Sequence, residues 1–511
     1  MSEQRDPRDA GPVGPHAGCP AGHAPASAPA TAGGGTPRAD VPLAAGALPG
    51  IGHLLALARD PLGFLRSLPA QGPMVRIKAG PADMVMVCDP ALVRAVLVDD
   101  RTFDKGGPFF ERGLNTIGNG LVTCPHAQHR RQRRLSQPSF HPDRFPAYGE
   151  VFVAAAETTV AGWTDGAVVD VNPQTQALAI RAVLDTVFDG GLPPERFDDV
   201  IADLDALVDG IFRKMVTPPF LDRVPVLGLG RTERARDRIF ATMDELIARG
   251  RANLAADPAR EPAPAPVPGA APGSAPGAAP ARREDLLSAL IQAVDPESLA
   301  EGESPAFAPH ELRDQVIAFF GAGAETTATT LSWALYLLAR HPEIARRVRR
   351  EVDGVLATGP LGHDRLPELD LTNRVIAEAL RMYPPGWLIN RTVTVDTELG
   401  GVRLRAGTGI AVSPYVLHHD PAHHPDPERF DPDRRLDHRP DRSFLPFGTG
   451  ARKCIGDRFA LAEAGLALAV IASRTVLEPV DTRPVRPHLA TTISPRGLRL
   501  RVRLRRPGED H

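Results

Sequence analysis

Beyond residue 40, apolar positions recur every three to four residues over long stretches, the period of helices that bury one face. Read with their Pro, Gly and polar flanks, these stretches predict helices over 61–68, 90–97, 127–137, 154–164, 175–188, 197–214, 233–253 and 283–295. The longest predicted helix runs over 309–340 and is ended by Pro342. At the usual rise per residue it would span about 48 Å, the width of a whole domain, so it must pass through the core. Alternating strand patterns are short and lie at 74–79, 84–88, 402–404 and 498–502. The predicted fold is mainly α with a minor β part and no internal repeat.

Two stretches lack any such period. Residues 1–40 are rich in Pro, Ala and Gly and are expected to be a disordered tail. Residues 256–281 carry Pro at nearly every second or third position, which excludes helix and strand. They read as an extended insertion within one domain over 41–511.

Composition narrows the function classes. The 511-residue chain is 42% hydrophobic, enough for a substantial core, and its net charge of -3 gives no reason to expect nucleic acid as a partner. Cys19, Cys88, Cys124 and Cys454 are too scattered for a disulfide framework and fit a reducing compartment. Cys19 and His23 share the tail, with too few further ligands nearby for a metal site. The chain has neither a basic-then-apolar leader nor an apolar run of about 18 residues, so a cytoplasmic protein without a membrane anchor is expected.

The run Phe447-Gly448-Thr449-Gly450-Ala451-Arg452-Lys453-Cys454-Ile455-Gly456 places a lone cysteine on a glycine-hinged loop before an apolar helical stretch. A thiolate that ligates iron needs its charge offset and donors aimed at sulfur. The glycines let backbone amides turn inward. Arg452, Lys453 and the following helix N-terminus supply positive potential. The bland alternative is a buried structural cysteine.

Inside the long helix lies Gly321-Ala322-Gly323-Ala324-Glu325-Thr326-Thr327. Two mid-helix glycines cost about 1 kcal/mol each against alanine, so something must compensate. They permit a flat ligand to approach the backbone. Thr326 can bond a carbonyl one turn back, and Glu325 is an acid placed to relay protons. The alternative is a helix contact built on small residues. Glu378 and Arg381, three apart, share a helix face and can pair. His129 and Arg133, four apart, also share one.

These motifs, in this order, resemble the cytochrome P450 family: F-x-x-G-x-R-x-C-x-G at the cysteine, [AG]-G-x-[DE]-T-[TS] at Ala322–Thr327, and E-x-x-R at Glu378–Arg381. The resemblance spans residue 41 to the end. It implies a helical prism with small sheets, in which haem b lies between the long helix and the cysteine loop. It implies Cys454 as axial ligand to the haem iron, with Phe447, Ala322 and Gly323 against the haem. His129, Arg133, Arg391 and Arg452 are implied as partners of its propionates. Thr326 and Glu325 are implied as the catalytic pair that delivers protons when O2 is activated. A third member of the E-x-x-R network is expected at Arg429, in Pro427-Glu428-Arg429-Phe430.

By the same resemblance, the substrate pocket is expected to include Phe109, Phe110, Phe319, Trp387, Leu388, Ile389 and Ile493. These are apolar and point to an apolar small molecule. Gly118–Thr123 and Ser413-Pro414-Tyr415 are similar to bacterial members that oxidise terpenes. The expected activity is therefore a terpene-hydroxylating monooxygenase of secondary metabolism. Within the class, a fatty-acid hydroxylase is the alternative. A haem-thiolate isomerase or dehydratase needing no external electrons is disfavoured by the presence of both Glu325 and Thr326, and a haem sensor or electron carrier by the absence of a partner module. Arg130, Arg131 and Arg134, with Lys453, would make the cysteine-side face positive and suit an acidic ferredoxin, itself reduced by an NAD(P)H-dependent ferredoxin reductase. A monomer is expected.

Overall fold

The computed structural model describes residues 41–80, 82–107, 116–188, 192–216, 229–256, 285–300, 302, 304–434, 436, 442–481 and 483–505. The expected tail, most of the insertion, and Phe109 and Phe110 lie outside the described residues.

The chain begins with α1 (Leu54–Arg59) and α2 (Pro61–Arg66), then the antiparallel pair β1 (Met74–Ala79) and β2 (Ala82–Val87). Pro90 opens α3 (Pro90–Val98), and the Asp89 carboxylate caps it by accepting the Leu92 amide at 2.9 Å. After β3 (Phe103–Asp104) come α4 (His126–Ser136), α5 (Phe145–Ala161), β4 (Val168–Asp170), α6 (Val171–Phe188), α7 (Phe197–Val216) and α8 (Leu229–Ala256). The segment predicted as one helix over 283–295 is α9 (Leu286–Gln292), a break, and then α10 (Pro296–Ala300). Asp295 forms that break: its amide donates to the Pro305 carbonyl and its carboxylate binds Arg134.

The long helix α11 (Pro309–Arg340) has the predicted bounds. It is buried on nearly every side from Leu312 to Leu338 and packs on α6 and α8. It also packs on α12 (Pro342–Leu356), α13 (Asp370–Met382) and, near the C-terminus, α15 (Asp457–Arg474). Gly323 allows the close approach to α6, since a Cβ there would sit 2.9 Å from a Val183 methyl. Between α13 and α15 run β5 (Ile389–Val393), β6 (Thr397–Leu399), β7 (Val402–Leu404), β8 (Gly409–Val412) and α14 (Pro414–His418). The chain closes with β9 (Thr475–Pro479), β10 (His488–Leu489), β11 (Ile493–Ser494) and β12 (Arg499–Leu504).

The largest sheet has the order β1-β2-β8-β5-β3, with β2 and β8 parallel in the register Met84↔Gly409. A second sheet, β4-β12-β9, backs α6 and α11. The fold is thus mainly α with small sheets, as the apolar period predicts.

The segment between α14 and α15 carries the cysteine and is fixed by buried charge. Glu378 and Arg381 form two hydrogen bonds at 2.8 and 2.9 Å, with both side chains buried. The third member is Arg434 and not Arg429. Arg434 Nε donates to Glu378 Oε1 at 3.1 Å from a buried position. Arg429 offers only its backbone carbonyl to Arg381, and its own side chain is 69% exposed. Five residues further on, the chain has turned back over α13, which the motif spacing alone does not reveal. Arg381 also donates to the His418 carbonyl at 3.0 Å. The His418 ring bridges the Arg381 carbonyl, through Nδ1 at 3.2 Å, and the Leu445 amide, which donates to Nε2 at 2.9 Å. Those partners require a neutral ring, and burial holds its pKa far below the usual range.

Removing one member of a buried ion network costs about 3–5 kcal/mol, because a charge is left uncompensated. Arg434→Ala should therefore lower the melting temperature and the yield of folded protein. Arg429→Ala should stay within about 0.5 kcal/mol of the parent. Chemical denaturation of the two variants side by side checks this.

Candidate active site

Cys454 sits at the end of a tight loop. Its amide donates to the Phe447 carbonyl at 3.0 Å, and the Lys453 amide to the Gly450 carbonyl at 3.1 Å. Gly450 has φ of 76° and lies against α3, where a Cβ would fall 2.4 Å from the Leu97 carbonyl oxygen. No other residue fits that position. The Cys454 sulfur is accessible yet surrounded by protein, because it opens onto an internal cavity. Burial pushes the thiol pKa up, against the Gly456 amide and the charges of Arg133 and Lys453. Arg452, expected to offset the sulfur's charge, is turned to Asp100, Asp104 and the Cys124 carbonyl.

The cavity measures about 380 Å³. Cys454, Phe447, Ala322, Gly323, Thr326, His129, Arg133, Arg391, Arg452, Phe319 and Ile389 all line it. Leu121, Val122, Val183, Val187 and Leu286 add apolar wall. Trp387, Leu388 and Ile493 are not among its lining residues. Trp387 and Ile493 are buried in the adjoining core and Leu388 packs against it, together with Trp333 and Tyr415. Their apolar character serves packing, which sequence cannot separate from lining.

One cluster of the wall is cationic. Arg133 donates to the Lys453 carbonyl at 2.7 Å and so braces the cysteine loop. Arg391 is buried, its Nε has no acceptor among the described residues, and burial lowers its pKa to about 10. His129 is buried, and burial next to Arg452 lowers it to about 3, so it is a neutral donor. Lys105 belongs to the cluster and was missed. Burial, with Arg452 and Arg391 nearby, lowers it to about 7, and it donates to the Val122 carbonyl. The available signal was one of the chain's few lysines, directly after β3.

The expected positive face on the cysteine side is largely neutralised. Arg130 pairs with Glu297, Arg131 with Glu311, Arg134 with Asp295 and Glu297, and Lys453 with Asp457. The arginines instead tie α4 to α10 and to the start of α11. Gly118 and Gly120 are likewise structural. A Cβ at either would collide with Asp314, whose carboxylate accepts the Asn119 amide at 2.8 Å.

On α11, Thr326 donates to the Ala322 carbonyl at 2.7 Å, as the motif predicts, and lines the cavity. Glu325 does not line the cavity. Its carboxylate accepts from Thr491 at 2.9 Å and from Thr492 at 2.7 Å. Burial raises its pKa against those two hydroxyls. A second acid went unnoticed in the sequence. Glu463 on α15 is fully buried, and neither carboxylate oxygen has a hydrogen-bond partner among the described residues. The Thr327 hydroxyl, on the cavity wall, approaches it without completing a bond.

The sequence model of the Cytochrome P450 family matches residues 42–499. The chain is 41% identical over 476 residues to "Pentalenene oxygenase" of Streptomyces avermitilis, covering 91% of this chain and 98% of that one. It is 38% identical over 463 residues to "Cyclooctatin synthase" of Streptomyces melanosporofaciens, covering 90% and 94%. The crystal structure of the cytochrome P450DA heme domain superposes with a TM-score of 0.74 at 28% identity, covering 90% of this chain and 97% of that one. The chain belongs to the cytochrome P450 family. It is a monooxygenase with a haem-iron cofactor, O2 as co-substrate, a small-molecule substrate and a redox partner. Among the described residues, no helix is long and apolar enough to cross a membrane.

Burial pushes Glu463 well above the ordinary carboxyl range, so it folds as the neutral acid. A raised folded-state pKa stabilises below the unfolded value, near pH 4, and loses that contribution as pH rises. Glu463→Gln should therefore match the parent near pH 4 and exceed it in stability at neutral pH. The gap should grow by on the order of 1 kcal/mol per pH unit until the folded-state pKa is reached. Urea unfolding of both proteins across that range checks it.

Proposed function

We propose that this monooxygenase hydroxylates an apolar small molecule of the terpene class, with haem b held through Cys454. The observation that carries the reading is the convergence of Cys454, the Thr326 turn and the cationic cluster on one apolar cavity. The donors fit the group. Cys454, on the wall of the apolar cavity, would hold a haem iron through its sulfur. The unpartnered Nε of Arg391 suits a buried carboxylate. When bound, haem-thiolate supplies the activation of O2 that inserts one oxygen atom into a C–H bond.

In this reading Cys454 would hold the iron, and His129, Arg133, Arg391, Arg452 and Lys105 would receive the propionates. Phe447, Ala322 and Gly323 would face the macrocycle from the cavity wall. Thr326 holds a proton acceptor at the wall of the cavity, and Glu325 is its proton source. Phe319, Leu121, Val183, Val187 and Ile389 exclude water and orient the substrate by shape. Among the described residues none that lines the cavity is acidic, which does not favour a cationic substrate. The propionates would occupy the cations that a fatty acid needs, which disfavours a fatty-acid hydroxylase. The names of the pentalenene and cyclooctatin relatives support a terpene. We propose a ferredoxin as electron donor, served by an NAD(P)H-dependent ferredoxin reductase. We further propose a monomer in the cytoplasm, where the free thiols of Cys88 and Cys124 would persist.

The reduced, carbon monoxide-bound protein should absorb at the long wavelength of thiolate-ligated haem. Cys454→Ser should lose that band. A parent spectrum of the histidine-ligated type would refute the ligand. Titration of the ferric protein should give a low-to-high spin shift with sesquiterpenes or diterpenes. A shift with fatty acids and none with terpenes would refute the substrate class.

A further inference from the structure

We propose that Thr491 and Thr492, in the turn between β10 and β11, are positioning residues that hold the Glu325 carboxyl off the cavity and set when it can face Thr326. This rests on reading Glu325 and Thr326 as the proton-handling pair. Although consecutive in sequence, the two side chains share no hydrogen bond. Thr326 is committed to the Ala322 carbonyl, and both Glu325 oxygens accept from Thr491, at 2.9 and 3.1 Å, while Oε1 also accepts from Thr492. Thr326 lines the cavity and Glu325 does not. In this state no direct hydrogen bond carries a proton from Glu325 to Thr326.

The turn that holds the acid is itself fastened on two sides. The Trp333 indole of α11 donates to the Ile493 carbonyl at 2.8 Å. The Trp387 indole donates to the Ala490 carbonyl at 3.1 Å. Trp387 belongs to the segment whose Pro385, Gly386 and Ile389 line the cavity. A displacement of that wall by a bound substrate therefore reaches the turn through one hydrogen bond, and the acid through the next.

The surroundings of Glu325 favour its neutral form apart from the threonines. Asp205 and Asp209 on α7 oppose its charge. Asp209 pairs with Arg496 and Asp205 bonds Gln176, while Arg231 acts on Asp205, and His488 on β10 lies near Asp209 and Arg496. The two hydroxyls donate, which favours the carboxylate. In a delivery cycle Glu325 gives its proton to the Thr326 oxygen as Thr326 passes its own hydroxyl proton into the cavity, becomes the carboxylate that the threonines hold, and takes up one proton from solvent to return to the start.

The test is the isosteric double variant Thr491→Val/Thr492→Val in the ferric holoenzyme. The infrared carbonyl band of neutral Glu325, identified by its loss in Glu325→Gln, should persist to higher pH than in the parent. In turnover, the ratio of hydrogen peroxide to hydroxylated product should change several-fold, and its pH profile should move upward. The double serine variant should restore both. An unchanged band titration in the double valine variant overturns the latch. A shifted band together with normal coupling in Glu325→Gln and Thr326→Ala supports the latch and overturns the proton-pair reading instead.

Discussion

The buried carboxylate of Glu378, shared by Arg381 and Arg434, is the interaction on which the geometry of this protein depends. Two charges on one helix turn capture a third from a loop that has no regular structure of its own. From Arg381 the connection passes through the His418 carbonyl and ring to the Leu445 amide, at the threshold of the cysteine loop. An irregular segment this long would otherwise sample many conformations. Buried ion networks contribute little net stability, but they penalise any arrangement that leaves a member unpaired. Here that penalty holds the approach to the cysteine loop in one conformation.

The cavity combines two environments that would be unstable apart. Its walls are apolar enough to suppress charge on His129 and to weaken it on Lys105, while Arg391 stays charged. Yet these groups crowd one cluster, with Asp100 and Asp104 offsetting only Arg452 directly. A dianionic partner at that cluster would relieve the repulsion and restore the lysine's charge.

Much of this was legible in the chain, for identifiable reasons. The helix over 309–340 keeps its apolar period without interruption and has a proline at each end, so both bounds are local. The helix predicted over 154–164 instead begins at Phe145, since Pro146 fits a first turn and Gly149 is required by the neighbouring His363. Cys454, Thr326, Arg133 and Arg391 reach one cavity as the motifs imply. Arg434 displaced Arg429, and Thr491 and Thr492 claimed Glu325 from some 166 residues away. Such pairings depend on the tertiary path, which spacing does not encode. The arginines of α4 had the charge of a docking face, and only their distant carboxylates show them to be braces.

Gly323 has a consequence for how such a cavity diversifies. It lets α11 rest on Val183, and both residues also contribute to the wall. A larger side chain at either would push two long helices apart along their whole contact. One substitution at this contact would therefore reshape the chamber twice, by its own bulk at the wall and by the spacing of the two helices.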